Sequence, residues 1–137
     1  MDIFSLMDTN KSFSKRLLNA FTNGLFDLLK EKDLENITVA ELCGKVNYPR
    51  STFYNYFEDI YVLMDYCWYA IGNQIKITNF REIEHDKRTI SLFNMVYEYM
   101  AENRISIDKL LKHNHHDGAM ILSLDRYIKK TIYQMHR

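Results

Sequence analysis

The chain has 137 residues, 47% of them apolar and 14% aromatic, with 18 basic and 18 acidic side chains that cancel. That much apolar material supports one ordinary domain, or a small domain with a helical extension, and argues against disorder. The charge balance excludes the plainly basic composition of proteins that hold nucleic acid by charge alone.

Four glycines and one proline, with helical periodicity throughout, predict an all-α chain. The first seven or so residues read as a flexible start. A first helix is expected at about residues 12–32, with Phe13, Leu17, Phe21, Leu25 and Leu28 on one stripe. A short loop at 33–36 leads to two compact helical patterns between Ile37 and Phe57. From Asp59 a longer helix carries Leu63, Tyr66, Cys67, Ala70 and Ile71 to about residue 77, and 79–86 reads as a polar linker. A fifth helix at about 87–103 places Ile90, Phe93, Tyr97 and Met100 on one side. A sixth spans about 105–113, and a last one, about 119–136, uses Ile121, Leu124, Ile128, Ile132 and Met135. There are no internal repeats. Cys43 and Cys67 lie within apolar helical patterns, and no signal peptide is evident, so a cytoplasmic, disulfide-free protein is expected. No apolar run approaches a membrane span, so no membrane partner is expected. The Asn36-Ile37-Thr38 glycosylation pattern is then a chance match.

The segment from Ile37 to Phe57 has the layout of a helix-turn-helix. Thr38 and Glu41 fit a capping box, and Ile37 with Leu42 fits a hydrophobic staple. Val39, Leu42, Cys43 and Val46 form one apolar face. Asn47 is the turn residue, since Asn is among the few non-glycine residues that accept a left-handed backbone. Pro49 suits a first helical position. In the second helix Phe53 and Phe57 point inward, leaving Arg50, Ser51, Thr52, Tyr54 and Tyr56 for the outer surface and its flanks. Any compact helical pair would use the same devices, so the pattern alone does not decide for DNA.

The run ITVAELCGKVNYPRSTFYNYFEDIYVLMDYC resembles the DNA-binding domain of the tetracycline-repressor (TetR-like) family of transcriptional regulators. The matching features are Ile37-Thr38-Val39, Leu42-Cys43, Ser51-Thr52-Phe53-Tyr54, Tyr56-Phe57 and Leu63, with Ala20-Phe21, Leu28-Leu29 and Glu31-Lys32 upstream. The likeness covers about residues 11–67. It implies an N-terminal three-helix helix-turn-helix DNA-binding domain at 1–58. A connecting helix and a small helical effector-binding or dimerisation region would follow at 59–137. By position, Thr38, Arg50, Ser51, Thr52, Tyr54 and Tyr56 match family residues that touch DNA, and Lys45 and Arg50 flank the turn. Arg50 can make a bidentate contact to guanine. Tyr54 and Tyr56 can bond phosphates through their hydroxyls, or else pack between helices. The implied function is a repressor that binds double-stranded operator DNA as a homodimer and is released by a small apolar effector. Tyr69, Met95, Tyr97, Met100, Met120 and Tyr127 are candidates to line that effector's pocket, with helical core as the plainer reading.

Three features depart from the family. Asn47 replaces the usual turn glycine, and Ile60 stands where a phosphate-gripping lysine is usual. The second half is also short for the four-helix dimer interface that the family builds. Charge adds to this. Residues 1–70 hold 7 basic and 10 acidic side chains, and 71–137 hold 11 and 8. Lys11, Lys15 and Arg16 cluster at the first helix, while acids gather at 27–35 and 58–65, where they can face away from a duplex. The rival reading is a helical protein-interaction module that keeps the fold without strong DNA binding. No phosphate loop, nucleophile elbow or HExxH motif points to an enzyme or a cofactor. His113, His115, His116 and Asp117 have no standard metal-ligand spacing and read as a solvated loop.

Overall fold

A computed structural model describes residues 12–74 and 87–135. Among these, the chain forms only helices: α1 (Ser12–Leu29), a 3-10 turn (Leu34–Asn36), α2 (Val39–Val46), α3 (Arg50–Tyr54), α4 (Ile60–Gln74), α5 (Arg88–Glu102), α6 (Arg104–His113) and α7 (Ala119–Met135). None of them is long and apolar enough to cross a membrane. The expected flexible start, Lys11, the linker at 79–86 and the last turn of the connecting helix lie outside the described residues.

The core is built on α1. Leu17, Leu18, Phe21, Leu25 and Leu29 are fully buried, and α1 packs against α2, α4 and α6. Burying a Leu or Phe side chain contributes ~1.5–3 kcal/mol, so this one stripe supplies much of the drive to fold. Phe13 is an exception to the expected stripe. It is exposed in the first turn of α1, while Ser14 points inward and shares a hydrogen bond with the Tyr56 hydroxyl at 3.1 Å. Gly24 has the α2 side chains Val46 and Leu42 against it, so α1 and α2 approach closely there.

Helix α4 buries Ile60, Leu63, Met64, Tyr66, Cys67, Trp68 and Gly72, a spread wider than one stripe. It is covered by α1 on one side and α7 on another, which is why its sequence is apolar almost all round. Asp59 starts it, its Oδ1 accepting the Val62 amide at 2.9 Å. Burial pushes the Cys67 thiol up to about 12, and both cysteines are free and buried.

The face that α7 turns inward differs from the expected stripe. Met120 and Ser123 are buried, whereas Ile128 and Ile132 are exposed and Ile121 and Leu124 only half-buried. Polar contacts set this rotation. Asp65 Oδ1 on α4 accepts from Ser123 Oγ at 2.5 Å and from Arg126 Nη2 at 3.3 Å. One turn on, the Tyr127 ring end lies directly on Gly72, where any larger residue would collide with it. The start of α7 is held by Glu35, whose Oε1 accepts the Ala119 amide at 2.6 Å. A carboxylate there also favours the helix dipole.

Asn114, which ends α6, ties these parts together from inside. Its Oδ1 accepts the Leu34 amide at 3.0 Å, and its Nδ2 donates to the carbonyls of Leu29 at 2.9 Å and Leu110 at 3.1 Å. It thereby satisfies backbone groups left over at the ends of α1 and α6 and in the 3-10 turn. The region around it is not wholly the solvated loop that the sequence suggests: His115, His116 and Asp117 are exposed, but Asn114 is buried.

Two outcomes follow from this packing. Asn114→Ala leaves several buried backbone groups without partners, and should cost about 3 kcal/mol in urea unfolding followed by circular dichroism. A cost within about 0.5 kcal/mol would remove Asn114 from this role. Cys67 binds its proton more tightly folded than unfolded, where the thiol ionises near 9.0. Its effect on stability is therefore flat below pH 9 and falls as pH rises above it. Wild type should lose more stability than Cys67→Ala between pH 8 and pH 10, and parallel losses would contradict this.

Candidate nucleic-acid interface

The segment α2, residues 47–49 and α3 is fixed by local chemistry before any packing. Thr38 adopts an extended backbone and its Oγ1 accepts the Glu41 amide at 3.1 Å, the expected cap. Ile37 and Leu42 are both buried, as a hydrophobic staple requires. The Glu41 carboxylate pairs with Lys32 Nζ in the loop after α1.

The turn rests on Asn47. Its φ of 62° and ψ of 39° are left-handed, and among the described residues it is the only non-glycine residue with positive φ. The amides of Asn47 and Tyr48 both reach the Cys43 carbonyl, which closes the end of α2. Pro49 precedes α3 as its cap instead of forming its first residue. Its carbonyl accepts the Thr52 and Phe53 amides, so the helix still starts on the proline.

Helix α3 is only five residues long, though the Phe53 carbonyl still accepts the Tyr56 and Phe57 amides beyond it. Its position is set by rings. Phe53 is fully buried and meets Phe21 of α1 edge to face, with centroids 5.5 Å apart. Phe57 continues the cluster at 5.6 Å from Phe53 and 5.5 Å from Tyr66 of α4. Tyr48 closes the other side, 5.6 Å from Phe21.

With Phe53 turned in, α3 presents Arg50, Ser51 and Tyr54 to solvent, with Thr52 half-buried at their edge. Tyr54 is 54% exposed, its ring braced edge-on against Phe53. The Arg50 charge is close enough to α2 to oppose the upward push that burial gives the Cys43 thiol. Asn55, also exposed, ends the helix and extends the same polar surface. Sequence reasoning passed it over, although Asn is a good amide donor and acceptor for a base edge.

The other candidates are placed differently. Thr38 is exposed at the start of α2 with its hydroxyl committed to the cap. Tyr56 is half-buried and its hydroxyl is bonded to Ser14, so it packs α1 against the end of α3. Lys45 lines a surface cleft of about 420 Å³ together with Asp27, Lys30, Glu31, Lys109, Lys112 and His113. Ile60 is buried.

Among the described residues, the six second-half candidates for an effector pocket sit in different surroundings. Met120 is buried in the core, Tyr69 is half-buried beside Tyr66, and Tyr127 lies on Gly72. Tyr97 and Met100 face solvent on α5, with Met95 half-buried on its other side. The lysine-lined cleft and a second one at residues 101–106 contain none of these side chains.

The chain was compared with protein-family models, curated proteins and solved structures, and none of the three yields a match.

The turn supplies a direct test. Asn47→Gly removes the left-handed penalty and should leave stability unchanged or slightly raised in a thermal melt. Asn47→Val forces a β-branched residue into that conformation and should cost roughly 1–2 kcal/mol or more. Equal melting of the two variants would contradict the left-handed turn.

Proposed function

We propose that the chain is a DNA-binding transcriptional regulator of TetR-like type, in which α2, the Asn47 turn and α3 act as a helix-turn-helix. The most economical role is a repressor that binds an operator as a dimer. The observation that carries this reading is the division of α3: Phe53 is fully buried, and Arg50, Ser51 and Tyr54 face outward from a short, rigidly seated helix. A recognition helix needs that arrangement, because its first residues must meet base edges in the major groove while the rest is held by the domain.

Each exposed group then has a chemical task. The Arg50 guanidinium matches O6 and N7 of guanine, which no other single base presents in that form. Ser51 and Thr52 offer short hydroxyls for bases or backbone, and the Tyr54 hydroxyl suits a phosphate oxygen. Tyr56, tied to Ser14, holds α3 in place. Release by a small apolar effector held in the second half completes the proposed role.

Two observations favour the rival, a protein-interaction module on the same fold. Ile60, standing where the resemblance places a lysine, is part of the core, and the chain carries no net positive charge. Salt decides between the two. A labelled duplex of random sequence should bind at low salt, and more weakly as salt is raised, because phosphate contacts release counterions. Once an operator is selected, Arg50→Ala should relax base preference at one position by roughly 1–3 kcal/mol. If the folded protein shows no binding at low salt, the DNA reading is wrong and the interaction module stands.

A further inference from the structure

Helix α5 wears its apolar side outward. Ser91, Met95, Val96 and Tyr99 are half-buried on the face turned to the molecule. On the opposite face Ile90, Phe93, Tyr97 and Met100 are 64%, 66%, 75% and 46% exposed. The sequence marks these four as a helical stripe that would normally seek cover, and none of the described residues covers it. Given that an aromatic side chain alone spans roughly 150–250 Å², the stripe leaves roughly 550 Å² of side chain in water. Large exposed patches of this kind mark sites of association.

We infer that a second copy of this chain covers the stripe: two α5 helices pair antiparallel about a two-fold axis at the level of Met95. Three observations select this occupant. The stripe is spaced three, four and three residues apart, a pattern that reads the same in both directions. A two-fold axis through its centre therefore sets every stripe residue against another residue of the same stripe, as an isologous contact does. With the axis at Met95, Ile90 lies against Met100 of the partner subunit and Phe93 against Tyr97 of the partner subunit.

The charges of α5 point the same way. The helix opens at Arg88, after Lys87, and carries both of its acids, Glu98 and Glu102, in its second half. That order opposes the helix dipole, which favours acids at the start and bases at the end. An antiparallel copy lays each basic end alongside an acidic one and relieves the conflict. The area also suffices. Two stripes fully covered remove roughly 1,100 Å² from water, past the ~1,000 Å² floor of a specific interface and at the small end of the range.

This pairing does not depend on what α3 reads. A chain that fails to bind duplex can still dimerise through α5, and a monomer can still bind duplex weakly.

Sedimentation equilibrium of the full chain at micromolar concentration tests it. Wild type should sediment at twice the chain mass. Phe93→Asp should weaken the dimer by at least about tenfold with its helical circular dichroism intact. A monomeric wild type, or a Phe93→Asp dimer of unchanged strength, overturns the proposal. Cross-linking fixes the direction without relying on that variant. Ile90→Cys mixed with Met100→Cys should form an interchain disulfide on mild oxidation. Ile90→Cys alone should not, since two antiparallel copies hold their residues 90 about 15 Å apart. Linking of Ile90→Cys to itself, with none in the mixture, would mean a parallel pair and contradict the assignment.

Discussion

The placement of α3 depends on the contact between Phe53 and Phe21. A helix of five residues cannot hold itself together in water, where even helices of ~12–15 residues are marginal. What keeps α3 formed is the ring cluster that Phe53 enters, reaching from α1 through Phe57 to Tyr66 of α4. The same insertion decides which residues remain outside. Once Phe53 is buried, Arg50, Ser51 and Tyr54 have no inward direction left, and the proposed reading surface results from how the core packs.

The surroundings make that placement stiff. Asn47 bends the chain at a defined left-handed point, and Pro49 limits how α3 can begin. Tyr56 ties the far end of α3 to Ser14 on α1. Farther back, Asn114 joins the end of α1 to α6 and the 3-10 turn, while Asp65 and Glu35 lock α7 onto the same body. These acids bear on the charge balance. Several members of the acidic runs at 27–35 and 58–65 have intramolecular partners: Glu35 the Ala119 amide, Asp59 the Val62 amide, Asp65 Ser123 and Arg126, and Asp33 His115. They stabilise the fold locally, but an amide or hydroxyl donor leaves the carboxylate charge in place, so the acidic balance of residues 1–70 stands.

What could be read from sequence was governed by short-range physics. The cap at Thr38, the staple of Ile37 and Leu42, the turn at Asn47 and the burial of Phe53 and Phe57 each depend on residues a few positions apart, and the structure has all of them. Periodicity also placed the helices to within a few residues. It failed where a distant polar group chose the face. Ser123, drawn in by Asp65, rotates α7 away from its expected stripe, and Asn114 sits in a run of histidines that looks solvated. On α5 the apolar stripe was visible, but whether it faces the core or a second molecule is not a local property. Tyr56 shows the same limit at the site: its type and position suit a phosphate contact, and only the fold reveals that Ser14 holds its hydroxyl.

The central claim is that the outward face of α3 meets DNA. Backbone amide NMR of the labelled chain, titrated with a short duplex at low salt, tests it most directly. The largest shifts should fall at Thr38 and from Arg50 to Asn55, with α5 and α7 little changed. Shifts confined to the lysine-lined cleft around Lys109 and Lys112, or no shifts at all from a folded protein, would contradict it.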